Sequence, residues 1–129
     1  METLHPHHRR PRSLGGTDDS YNKSWVEKDL HNAWHIMFGN MDAFQIANYI
    51  NSFDIPYKPD NIYVVCKFIN GDEVKKSGSV SNNFSKDESK ILASWNKLFG
   101  RMKFEKIIAY INNTWLDPSY HLYIKTLTY

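Results

Sequence analysis

His31 and His35 stand four residues apart in His31-Asn-Ala-Trp-His35, so on a helix both imidazoles leave one face and could grip a metal ion together. The metallopeptidase version of this pattern places a Glu directly after the first histidine as general base, and Asn32 occupies that position. A third ligand would have to arrive through the fold, with His121 and Glu27 as the candidates. The two histidines also lie opposite an apolar stripe, where a solvated polar face accounts for them. The sequence alone therefore names no metal site and no cofactor, with His31 and His35 as its only weak metal candidates. It holds no Gly-rich phosphate loop, no nucleophile elbow and no Cys/His pairing, and its acidic residues fall singly or in adjacent pairs. Cys66 is the only cysteine; it excludes an internal disulfide, fits a reducing intracellular compartment, and reads as a small buried hydrophobe.

Aromatics and lysines make a second constellation. Alternation along three expected strands puts Tyr63, Val65 and Lys67, then Lys106, Ile108 and Tyr110, then His121, Tyr123 and Lys125 on one sheet face. Stacking platforms interleaved with cations are how single-stranded nucleic acids are held. Arg9, Arg10 and Arg12 would add phosphate contacts. Against this, the charge is local. Residues 1–17 carry those three arginines and Glu2, a net of +2, while the remainder carries 13 basic and 13 acidic side chains and is neutral. The RNP1 string is also missing.

The elements that must position these groups are legible in part. Residues 1–20 are dense in Pro, His, Arg and Gly with no apolar period, the composition of a disordered basic arm ahead of a single domain over residues 21–129. Ser24-Trp-Val-Glu27 has the form of a capping box opening a helix with Val26, Leu30, Ala33, Trp34, Met37 and Phe38 on one stripe. A second helix, from about residue 41 to 53, follows Gly39 closely enough to predict an αα-hairpin. Ile62 to Ile69 is β-branched and aromatic and runs into Asn70-Gly71, the sequence of a tight β-hairpin returning over residues 72–77. Ser85-Lys-Asp-Glu88 opens a third helix that ends at Gly100. Residues 105–111 fit helix and strand periods alike, and their β-branched content favours a strand; residues 120–129 alternate as a closing strand. The expectation is an α+β fold in which the αα-hairpin, the β-hairpin, a helix and two further strands build one four-stranded, largely antiparallel sheet.

No run of about twenty apolar residues is present to span a membrane, and the N-terminus has no apolar signal core. With 4 Trp, 8 Tyr and 7 Phe in 129 residues, the chain is rich in the side chains that dominate interfaces. The sequence thus reads as a non-enzymatic binding domain docking to a macromolecule, first of all a protein. Trp115, Tyr120, Tyr123 and Tyr129 are its contact residues. Single-stranded nucleic acid is the alternative partner, and metal-dependent catalysis through His31 and His35 is the second alternative.

Overall fold

The computed structural model describes residues 4–39, 41–52, 61–75 and 87–126. In chain order the elements are β1 (Leu4–His8), β2 (Lys23–Glu27), α1 (Lys28–Phe38), α2 (Ala43–Ser52), β3 (Ile62–Phe68), α3 (Glu88–Leu98), α4 (Phe104–Tyr110) and β4 (Tyr120–Thr126). A π-helical turn, Ile111–Trp115, extends α4, and short 3-10 turns at Arg12–Leu14 and Ser20–Asn22 fold the link between β1 and β2. Among the described residues no helix is long and apolar enough to cross a membrane.

The fold is α+β, but the expected four-stranded sheet does not form. Two separate two-stranded antiparallel sheets take its place, β1 with β2 and β3 with β4. The αα-hairpin is likewise overturned: α1 packs against α3, and α2 lies on β3. Apolar faces decide this. Ala33, Trp34, Met37 and Phe38 of α1 and Ile91, Trp95 and Leu98 of α3 are buried in one cluster, while Ile46, Ala47 and Ile50 of α2 cover the inward residues of β3, Val64 and Cys66. A short link sets where α2 begins, and the partner with the best-matched apolar face sets where it goes.

The expected capping box at Ser24 is also replaced. Ser24 belongs to β2, and α1 starts at Lys28 after Glu27, with no side-chain cap. At α3 the capping residue is Asp87, whose carboxylate accepts from Ser89 N–H and Lys90 N–H. Ser85 lies outside the described residues. Both helices stop near the expected glycines; Gly39 has φ of +53° and Gly100 of +55°, left-handed values that β-carbons resist.

The β-hairpin at Asn70-Gly71 is reduced to its turn. β3 pairs over its whole length with β4, from Ile62↔Thr126 to Phe68↔Tyr120. The returning chain contributes a bridge between Lys67 and Glu73 and a hydrogen bond from Val74 N–H to the Cys66 carbonyl. Asparagine side chains take over the edges. On β3, Asn51 Nδ2 donates to the Val64 carbonyl and its Oδ1 accepts Val64 N–H, both at 2.7 Å. On β4, Asn112 does the same for Leu122, at 3.0 and 2.8 Å. Each amide imitates one residue of a missing strand, occupying one position on each edge of the ribbon that foreign pairing would need.

Residues 105–111 are helix, not strand. Phe104, Ile107, Ile108 and Ile111 are buried at helical spacing, and Trp115 continues the same face. Burying one stripe outweighs the β-branched propensity that favoured a strand. Of residues 1–20, expected from composition to be a disordered arm, those from Leu4 onward form β1 and its turns. Asn22 is buried there and holds the loop, accepting Arg10 N–H and donating to the Arg10 and Thr17 carbonyls. Gly16 passes so close to the Arg10 carbonyl that an added β-carbon would collide with it.

Asn112→Leu keeps comparable bulk but leaves the N–H and C=O of buried Leu122 without partners. The expected loss is about 1–3 kcal/mol for each group left unmet, measured by urea unfolding. A loss below about 0.5 kcal/mol would show that water replaces the amide.

Candidate metal centre

Strand alternation puts His5 and His7 of β1 on the same side, opposite Val26 and Ser24 of β2, while Leu4, Pro6 and His8 share the other. Helical spacing puts His31 and His35 on one face of α1, against which β1 packs. The result is a cluster of His7, His31 and His35 in which one ring nitrogen from each lies within 4.8 Å of the others. His31 Nε2 and His35 Nε2 are 3.0 Å apart. For two neutral rings that distance is a hydrogen bond from one to the other, and a shared cation could replace its proton.

His7 is the new member. Its side chain is 3% exposed. Nε2 lies 2.9 Å from the Trp115 carbonyl, which can only accept, so Nε2 carries the proton. That fixes the tautomer and leaves Nδ1 with a lone pair; Nδ1 is buried without a hydrogen-bond partner. A ring nitrogen held by a backbone carbonyl while the other presents its lone pair is the arrangement of a metal-ligating histidine. The rings of Trp115 and Trp34, stacked at 4.9 Å and 13°, wall the cluster, each edge-on to His7.

All three rings are held neutral. Burial pushes His7 down to about 3, against the hydrogen bond to Trp115, with His35 and His31 lowering it further. His31 falls to about 4, through burial first and then its neighbours His35, His5 and His8. Burial lowers His35 too, opposed by a backbone hydrogen bond with Gly39. A neutral imidazole is the ligating form. Imidazole sets suit Zn²⁺, Cu²⁺, Ni²⁺ and Fe²⁺ rather than Mg²⁺ or Ca²⁺.

Of the two third ligands that the sequence offers, neither His121 nor Glu27 belongs to the cluster; His121 sits on β4 opposite Lys67. Of the three arginines, Arg9 turns inward. Arg9 donates from Nε to the Leu116 carbonyl and from Nη2 to the Asn112 carbonyl, Arg10 pairs with Asp117 at 2.7 Å, and Arg12 pairs with Asp18 at 2.8 Å on the surface. Of the expected aromatic face, Tyr63, Val65, Lys67, His121, Tyr123 and Lys125 do share one side of the β3–β4 ribbon, with Lys67 Nζ 4.9 Å above the Tyr123 ring. Lys106, Ile108 and Tyr110 leave it, being helical; Tyr110 packs edge-on to Phe99 and Trp115. Trp115, expected at a contact surface, is 1% exposed in the core, and Tyr120 is half-buried against Phe68. Tyr129 lies outside the described residues. Cys66 is buried, which pushes its thiol up to about 12 and leaves it inert.

Comparison with protein-family models, curated proteins and solved structures finds no match to this chain.

A histidine whose folded pKa lies below its unfolded value lets the unfolded chain bind the extra proton. Its contribution is whole above about pH 6.5 and drains away as pH falls toward 4 for His31 and 3 for His7. Unfolding free energy in chelator-treated buffer should therefore drop between pH 7 and pH 5, above the range where carboxylates titrate. His7 alone contributes up to about 1.4 kcal/mol per pH unit. A flat profile over that interval would mean the rings protonate freely in the fold.

Proposed function

We propose that the chain binds a divalent transition-metal ion, Zn²⁺ first, through His7, His31 and His35. One observation carries this reading: His7, His31 and His35 each bring a ring nitrogen within 4.8 Å of the others, and His7 holds a buried Nδ1 with no hydrogen-bond partner. An unmet polar atom in that position costs about 1–3 kcal/mol, and an ion relieves it. Tetrahedral Zn²⁺ with nitrogen at about 2.0–2.1 Å needs ligand nitrogens about 3.3 Å apart, so His31 and His35 open slightly from 3.0 Å while His7 closes from within 4.8 Å. Three imidazoles leave one coordination position, the arrangement from which zinc acts as a Lewis acid on water or a carbonyl.

A docking role for a protein partner is supported by a different surface from the one the sequence suggested. Trp25, 63% exposed, lies on the outer side of β1–β2 opposite Pro6, with Leu4 beside it. A large exposed aromatic flanked by apolar residues is the usual anchor of an interface. If Trp25 has that role, Trp25→Ala abolishes recovery of a defined partner while leaving the melting temperature within a degree or so; recovery that survives the substitution rules this surface out.

The metal reading is tested on the chain freed of metal by chelation. Calorimetric titration with Zn²⁺ should give one ion per chain. Zinc at a hundredfold above its Kd should stabilise the fold by about 2.7 kcal/mol. His31→Ala and His35→Ala, at partly exposed positions, should each lose saturable binding while staying folded. Zinc binding that persists undiminished in both variants would place the ion elsewhere.

A further inference from the structure

We propose that His5 is the fourth ligand, closing the ion in a four-imidazole centre that clasps β1 to α1. The inference rests on the three-histidine reading and adds to it the occupant of the remaining position. His5 and His7 are two residues apart on one strand face, and His31 and His35 are one turn apart on the facing helix. Two such pairs approach an ion from opposite sides, which is how two elements make a tetrahedral site. The His5 ring is half-buried at the mouth of the cluster, edge-on to His31 with centroids 6.2 Å apart. Among the described residues it makes no hydrogen bond, so nothing has to be broken for it to swing inward. Pro6 between the two histidines has its φ locked and faces Trp25 on the other side, keeping both imidazoles directed at α1. The competing occupant is water, which would leave the ion open to outside ligands.

The consequence of closure is mechanical. β1 is five residues long and pairs with β2 alone. An ion held by two residues of β1 and two of α1 adds a second tie between the first strand and the helical layer, so residues 4–8 are held more firmly when the ion is bound.

Co²⁺ substitution of the chelated full-length chain tests this, because its visible spectrum reports coordination number and azide reports an open position. The native chain should bind Co²⁺ tetrahedrally with a spectrum that added azide does not change. His5→Ala should bind Zn²⁺ at least tenfold more weakly, and its Co²⁺ spectrum should shift with azide. Hydrogen exchange at residues 4–8 should slow on adding Zn²⁺ to the native chain and much less in His5→Ala. An azide response in the native chain, or unchanged affinity in His5→Ala, would assign the fourth position to water and overturn the proposal. Should His5→Ala fail to fold, the azide test on the native chain decides alone. Failure of the native chain to bind either ion would sink the three-histidine reading, and His5 with it.

Discussion

The last carbonyls of a helix have no N–H ahead of them, and at the end of α4 and its π-turn those groups are turned into the protein rather than toward water. Four of them, on Asn112, Thr114, Trp115 and Leu116, find donors in the first 24 residues of the chain: Arg9 twice, Ser24 and His7. Arg9 is half-buried, which disfavours its charge, but it sits at the negative end of the helix dipole with Asp117 nearby. Much else follows from this cap. It fixes the course of β1, it lets Trp115 stack under Trp34, and it sets the tautomer of His7. The histidine cluster is therefore a by-product of capping. Without the Trp115 carbonyl, nothing would decide which nitrogen of His7 keeps its lone pair.

Asparagine solves the related problem at the sheets. A two-stranded ribbon exposes a row of polar backbone on each side, and a third strand is the ordinary remedy. Here Asn51 and Asn112 each supply a donor and an acceptor in strand geometry, and Asn22 fastens the loop before β2 in the same way. Asn112 has a double part, since its side chain serves β4 while its own carbonyl takes Arg9. In the β3–β4 ribbon, a side chain thus substitutes for part of a strand at each edge.

What could be read from the sequence was local. The helical stripe from Leu30 to Phe38, the helix ending before Gly100, and the alternation of residues 62–68 and 120–126 each announce themselves within a dozen residues, and each forms, whereas Val26, counted on the same stripe, belongs to β2. Residues 104–115 misled because isoleucines suit both periods; only continuing the helical count to Trp115 would have separated them. The first 20 residues misled more deeply. Composition treats every Arg and His as solvated, whereas His7 and Arg9 meet partners 108 and 107 positions away. No window along the chain contains both ends of such a bond. His31 and His35 were visible as a pair for the same reason that His7 was not: four residues separate them. A sequence signal for the third histidine of the cluster did exist, the His5-Pro-His7 spacing of a strand face, but it needed a strand to give it meaning.

Closure of the chain's beginning onto its end also has a consequence for biosynthesis. β1 leaves the ribosome well ahead of the carbonyls that hold it, at residues 112–116, which are made more than a hundred residues later. At about 5–20 residues per second, the opening segment spends several seconds or more with its donors unanswered. Contacts of such sequence separation carry the greatest loop-closure entropy and form late in folding. His31 and His35 can pair as soon as α1 exists, but His7 reaches them only when the other end of the chain is in place. By that argument the cluster closes late, and a chain truncated before residue 112 would carry every one of its histidines and still lack the Trp115 carbonyl that holds His7.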